Sequence, residues 1–168
     1  TVDGIKYNVT DSVAKTVEVI ANNYQYDITI PETVTPDTIK WTVTSIGKEA
    51  FSSCNVSNVT LPNSVTEIGK SAFAHSKLFS INFPNMLKTI QGWAFEYCEN
   101  LTEITLPNSI TTIGQCAFRY TSLNSISIPN QLTTISSSAF TECHSLRSVT
   151  ISPSFTSKLT PLRALITP

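Results

Sequence analysis

Charge is scarce in this sequence. Asp, Glu, Lys and Arg make up 14% of its 168 residues, where an ordinary globular domain carries ~25%. What charge there is nearly cancels, to a net −1, so no basic field draws in nucleic acid or an anionic membrane. No uninterrupted apolar run is long enough to span a bilayer. Glycine-rich phosphate loops and the HExxH, GxSxG and CxxC patterns are missing. There are two histidines, His75 and His144, and no aspartate after Asp37. The sequence therefore argues against an enzyme and implies no cofactor and no metal. No signal peptide is visible, yet the chain opens at Thr1 rather than Met, so it is expected to be a mature form or an excised piece.

Ser, Thr and Asn supply the polarity instead, and a 40% hydrophobic content is enough for the core of one domain. Their arrangement is repetitive. Residues 61–73 read "LPNSVTEIGKSAF", 83–95 "FPNMLKTIQGWAF" and 106–118 "LPNSITTIGQCAF". An Ala-Phe pair recurs at Phe51, Phe73, Phe95, Phe118 and Phe140, in steps of 22, 22, 23 and 22. Four positions before each alanine stands an isoleucine: Ile46, Ile68, Ile90, Ile113 and Ile135. Prolines keep the beat at Pro62, Pro84, Pro107 and Pro129, with Pro153 one residue late.

A period of ~20–29 residues is that of leucine-rich repeats, in which each unit is one strand and a return segment. "LTEITL" (101–106) puts Leu101, Ile104 and Leu106 on one side, as a strand buried on one face requires. Proline ends that strand, and Pro-Asn is turn chemistry. The return segment is too short for a full helix and is expected as a second short strand or a 3₁₀ turn, with Ile110, Ile113, Ala117 and Phe118 inward. One such coil cannot bury its own apolar residues; stacked coils can. The expected fold is mainly β, a right-handed leucine-rich-repeat solenoid of about five 22–23-residue coils with an N-terminal β cap.

The form LxxIxLP…IGxxAFxxC, carried by "TSIGKEAFSSC" (44–54), "TEIGKSAF" (66–73), "TIQGWAFEYC" (89–98), "TTIGQCAFRY" (111–120) and "TTISSSAFTEC" (133–143), resembles the BspA-like, or Treponema pallidum-type, leucine-rich repeat. Two units depart from it: Gln91-Gly92 moves the glycine by one, and Ser136 replaces it. The resemblance implies a secreted or cell-surface protein of anaerobes or protozoa. It implies adhesion to host matrix proteins such as fibronectin and fibrinogen, or to a co-aggregation partner. A glycan-binding surface domain and a structural spacer are the alternatives.

The ends do not repeat. Residues 1–43 read as a cap: a hairpin from "IKYNV" (5–9) to "KTVEVIA" (15–21), then a first strand, "YDITIPETV" (26–34), and an insert around "PDTIKWTV". The repeats run over 44–155, and 156–168 is a C-terminal cap, a tail or the stub of a longer array. Cys54, Cys98 and Cys143 share one column with Ser76 and Thr121. Column mates two coils apart lie about 10 Å from each other, and a disulfide needs Cα atoms within about 7 Å, so no bridge is expected. Cys116 is placed on the outer side, as a partly exposed thiol. Cys143 beside His144 is read as an accident of sequence, and Glu96 with Glu99 as part of a solvated loop.

Two columns vary while the core does not. The residue before Ala is Glu49, Ser71, Trp93, Cys116 or Ser138; the residue two after Phe is Ser53, His75, Tyr97, Tyr120 or Glu142. Trp93, Tyr97, Tyr120 and His75 form the expected protein-contact edge, for an external partner or for self-association, with Phe79 the one apolar anchor on an otherwise short, polar strand face. The alternative for Trp93 is that it folds down over a core gap left by the displaced Gly92.

Overall fold

The computed structural model describes residues 1–136 and 138–151. The chain starts with an antiparallel hairpin, β1 (Tyr7–Asp11) and β2 (Thr16–Val19), as the alternation predicts. β3 (Gln25–Thr29) follows, then the insert, which is a second hairpin of β4 (Thr33–Val34) against β5 (Trp41–Ile46). From there each coil has two sides. On the front lie β6 (Asn55–Thr60), β8 (Ser80–Asn82), β11 (Ser125–Ile128) and β13 (Ser148–Ile151). On the back lie the two-residue return strands β7 (Glu67–Ile68), β9 (Thr89–Ile90), β10 (Thr112–Ile113) and β12 (Thr134–Ile135).

The back sheet is continuous, β1-β2-β5-β7-β9-β10-β12, parallel from β2 onward. Its register repeats the sequence columns, Ile46 beside Ile68 beside Ile90 beside Ile113 beside Ile135. The hairpin β1–β2 covers the end of this sheet, which is why the N-terminal residues need no repeat of their own. Between the sheets lies the core. Ile46, Phe51, Ile68, Phe73, Ile90, Phe95, Ile113, Phe118, Ile135 and Phe140 are all buried, with the five alanines fully so. The phenylalanines form one parallel ladder, centroids 4.9–5.2 Å apart and planes within 3°.

The front side departs from expectation. It is two separate sheets, β3-β6-β8 and β11-β13, and residues 101–106, "LTEITL", pair with neither. Their alternation survives only as burial, Leu101 and Leu106 inside and Glu103 and Thr105 outside. Two features meet at this step alone. Six residues separate Phe95 from Leu101 where five separate Phe73 from Leu78, and a turn closed by the Leu101 N–H on the Cys98 carbonyl takes up the extra one. Below it, Phe83 stands where other coils carry leucine or isoleucine, its ring edge-on to Phe95 at 5.6 Å. The fifth coil has the same turn, Leu146 on Cys143, without the phenylalanine beneath, and there β13 pairs normally with β11.

The glycine of the IG pair is a matter of room, not of backbone conformation. A Cβ on Gly69 would sit 2.8 Å from the Ile46 carbonyl oxygen, and one on Gly114 2.4 Å from the Gly92 nitrogen. Neither residue has positive φ, which agrees with the exceptions at Gln91 and Ser136.

Candidate functional site

Each Ala-Phe stretch is a staircase of turns. The N–H groups of Ala50, Ser52 and Cys54 close turns onto Gly47, Glu49 and Phe51, while those of Glu49, Phe51 and Ser53 donate to Lys70, Ala72 and Ala74 of the next coil. The alternation needs a left-handed backbone at every fourth residue. The two variable columns occupy those positions: Glu49, Ser71, Trp93 and Cys116 in one, and Ser53, His75, Tyr97, Tyr120 and Glu142 in the other, with φ from 52° to 60°. An L-residue there costs roughly 1–2 kcal/mol, offset by an inter-coil hydrogen bond worth about 0.5–1.5 kcal/mol net. A conformation held by main chain leaves the side chain unconstrained, and this is where the sequence varies.

In the second column the rings stack. His75 and Tyr97 lie 4.6 Å apart at 13°, Tyr97 and Tyr120 4.4 Å apart at 17°. The stack faces solvent along its edges, with His75 exposed and both tyrosines half-buried. The Arg119 guanidinium lies 4.8 Å from the Tyr120 ring and 3.4 Å from the Glu96 carboxylate. Desolvation, then the neighbouring Tyr120, pushes the Tyr97 phenol above its ordinary value. These groups offer a partner tyrosine hydroxyls, ring edges and an Arg–Glu pair on a rigid backbone.

The other sequence-selected residues stand apart. Trp93, half-buried and outside the core cluster, lies beneath the Lys70 ammonium at 4.7 Å. Phe79 is on the front side, 60% exposed, immediately before β8. Arg119 and Glu96 were missed, because they occupy positions that read as ordinary solvated residues.

The cysteines are unbridged. The column meets backbone: the Cys98 thiol donates to the Phe73 carbonyl, Cys143 to Phe118 and Cys54 to Asn22. Burial pushes Cys98 up to about 12. Cys116 corrects an expectation, for it is buried, 8% exposed. Its column neighbour is Trp93, and Arg119 and Glu96 are close enough to act on its charge. His144 pairs with Glu142 at 3.2 Å while the Cys143 thiol faces the Phe118 carbonyl, so the two neighbours do not work together. Among the described residues, no group of three or more His, Cys, Asp or Glu is placed to hold a metal ion, and no helix is long and apolar enough to cross a membrane.

Stacked coils with a strand on one side and a return segment on the other define a leucine-rich-repeat solenoid. The chain belongs to the BspA type leucine rich repeat family, whose model matches residues 44–159 in six copies, one more than the five coils expected. It is similar to a leucine-rich repeat protein from Bacteroides ovatus, at 37% identity and a TM-score of 0.84, over 89% of this chain and 40% of that one. The T. pallidum leucine-rich repeat protein matches at 29% identity and a TM-score of 0.81, over 89% and 69% of the two chains. One from Eubacterium ventriosum matches at 27% identity and a TM-score of 0.64, over 89% and 42%. The chain thus spans less than half the length of two of these relatives. No curated protein matches it.

Proposed function

We propose that this chain is a non-enzymatic protein-binding module of a secreted or cell-surface protein, and that it meets its partner through the edge built by His75, Tyr97, Tyr120 and Arg119. One observation carries the reading: at fixed left-handed positions, where other coils place serine or glutamate, successive coils place rings stacked at 4.4–4.6 Å. Tyrosine and arginine are the side chains that most often anchor protein interfaces. Trp93, beneath Lys70 in the other left-handed column, lies apart from this stack. The surface location follows the family, and host matrix proteins or another cell-surface protein are the partner classes.

The stacking bears on the glycan alternative. Sugar rings bind the open faces of aromatic side chains, but here Tyr97 has a ring on both faces and Tyr120 has Tyr97 on one and Arg119 beside it. Edges and hydroxyls remain, which suits a protein surface better.

The test is a Tyr97→Ser, Tyr120→Ser double variant beside the parent, on immobilised fibronectin and fibrinogen, on a glycan array and by sedimentation. The expected result is an unchanged fold with binding or self-association reduced at least tenfold. A folded variant with every interaction intact defeats the proposal, and a parent silent in all three assays supports the spacer.

A further inference from the structure

A second site lies on the front side, over the step where the sheet breaks. Between β8 and residues 103–107 a shallow cleft of about 410 Å³ opens, floored by Ile81, Phe83 and Ile104. Ligand sites run from roughly 300 to 1,000 Å³, so this one suits a small molecule or one unit of a larger one. Around the floor stand Ser80, Asn82, Asn85, Glu103 and Thr105. The Asn82 amide is spent on Leu61, accepting from its N–H and donating to its carbonyl. The side chains of Ser80, Asn85, Glu103 and Thr105 are exposed and bond to no described residue. The main chain of Glu103–Leu106 likewise hydrogen-bonds to none. Glu103 is the single charged residue of the lining, which holds no Lys, Arg or His.

These groups select a ligand by chemistry. Without a basic side chain the lining offers nothing to a phosphate, a sulfate or another anion. A cation would meet one exposed carboxylate, and exposed ion pairs are weak. A wholly apolar ligand would cover the Asn85 amide and the Thr105 hydroxyl and leave them unpartnered, which is costly. What fits is a neutral molecule with one apolar face and several hydroxyls. We propose that the cleft binds an uncharged pyranose unit of a glycan. Its C–H face lies on Ile104 and Phe83. Its hydroxyls, each both donor and acceptor, meet the Glu103 carboxylate, the Asn85 amide and the Ser80 and Thr105 hydroxyls. The sugar lies across the two coils from outside and needs no change in the spacing between them. Next to Ser80, Phe79 is 60% exposed and stacks on no other described ring. A neighbouring sugar unit finds there the open aromatic face that Tyr97 lacks. The site shares no residue with the aromatic edge and stands or falls separately from it.

A printed glycan array read with the whole chain supplies the probe, and the strongest hit is then titrated calorimetrically. The hits are expected to be uncharged glycans. The chosen one should bind at least tenfold more weakly to an Asn85→Ala, Glu103→Gln double variant, which changes exposed groups that the fold does not use. It should bind as weakly to Thr105→Trp, which fills the cleft from an exposed position, and as well as the parent to Tyr97→Ser. Its affinity should be the same in low and high salt, because no ion pair takes part. Ser80→Trp fills the opposite wall and serves if Thr105→Trp does not fold. A silent array, hits confined to sialylated or sulfated glycans, or a hit that the double variant and the filled cleft bind as tightly as the parent overturns the proposal.

Discussion

The ring of Tyr24 lies 4.7 Å from that of Phe51, tilted by 39°, and ends the phenylalanine ladder on the N-terminal side. Tyr24 is 4% exposed, its hydroxyl donating to the Ile20 carbonyl and accepting from the Lys6 N–H. One side chain therefore closes the core and ties it to the cap, as an array end requires.

Removing a rung is expected to be severe. Phe95→Ala or Phe118→Ala should cost about 3–5 kcal/mol, read as a shift in the urea midpoint. Tyr24→Phe keeps the ring and orphans two backbone groups, for about 1–3 kcal/mol. A Phe118→Ala variant melting within a degree or two of the parent contradicts the ladder.

The thiols give a pH signature. Unreduced, denatured protein should alkylate at four cysteines, and folded protein should leave Cys98 untouched. With its folded value near 12 against an ordinary 9, Cys98 keeps its proton in the fold. Its contribution to stability is complete below pH 9 and is lost as pH rises from 9 towards 12, at up to about 1.4 kcal/mol per pH unit. Cys98→Ser, which copies Ser76 of the same column, should show a shallower fall. Equal slopes for parent and variant contradict the burial of that thiol.

The glycines divide by clearance. Gly114→Ala forces a methyl to within 2.4 Å of the Gly92 nitrogen, whereas at Gly92 the nearest atom would be 3.2 Å away. The first should destabilise by about 1–3 kcal/mol, as overpacking does, and the second by clearly less. Thermal melts of the two variants decide it, and the reverse order removes the steric account of the IG pair.

The left-handed columns are testable at neighbouring exposed residues. Glu49→Gly, at φ 56°, should leave stability unchanged or raise it, while Lys48→Gly one residue earlier should lower it by about 0.5–1 kcal/mol. Equal losses from both in urea titrations contradict the account.

Periodicity made the core readable. A residue that returns every 22 or 23 positions meets the same neighbours in every coil, so Ile46, Ala50 and Phe51 announce their burial five times over. Features set by differences between coils were harder to read. The break at 101–106 arises from one extra residue and one oversized side chain, each harmless in the alternation pattern. Cys116 reads as an outer residue because its column is open in other coils, at Glu49 above all, yet in the fourth coil the same position is buried. The stacking of Tyr97 on Tyr120 was legible as adjacency. The backbone conformation that makes it possible was not, because histidine, tyrosine and tryptophan give no sign of left-handed positions where glycine would be the ordinary signal.

The left-handed positions are held by hydrogen bonds between main chains, and this bears on how such a molecule changes over generations. Because Tyr97 is fastened to Arg119, and His75 to Glu96, through their backbone N–H groups, exchanging either side chain disturbs no main-chain hydrogen bond within the array. Unequal crossing-over that duplicates or deletes one 22-residue block would leave every core contact in place while changing which rings become neighbours. On the proposed reading, recognition would be written in the order of coils rather than in the shape of any one of them, and recombination would rewrite it faster than point substitution.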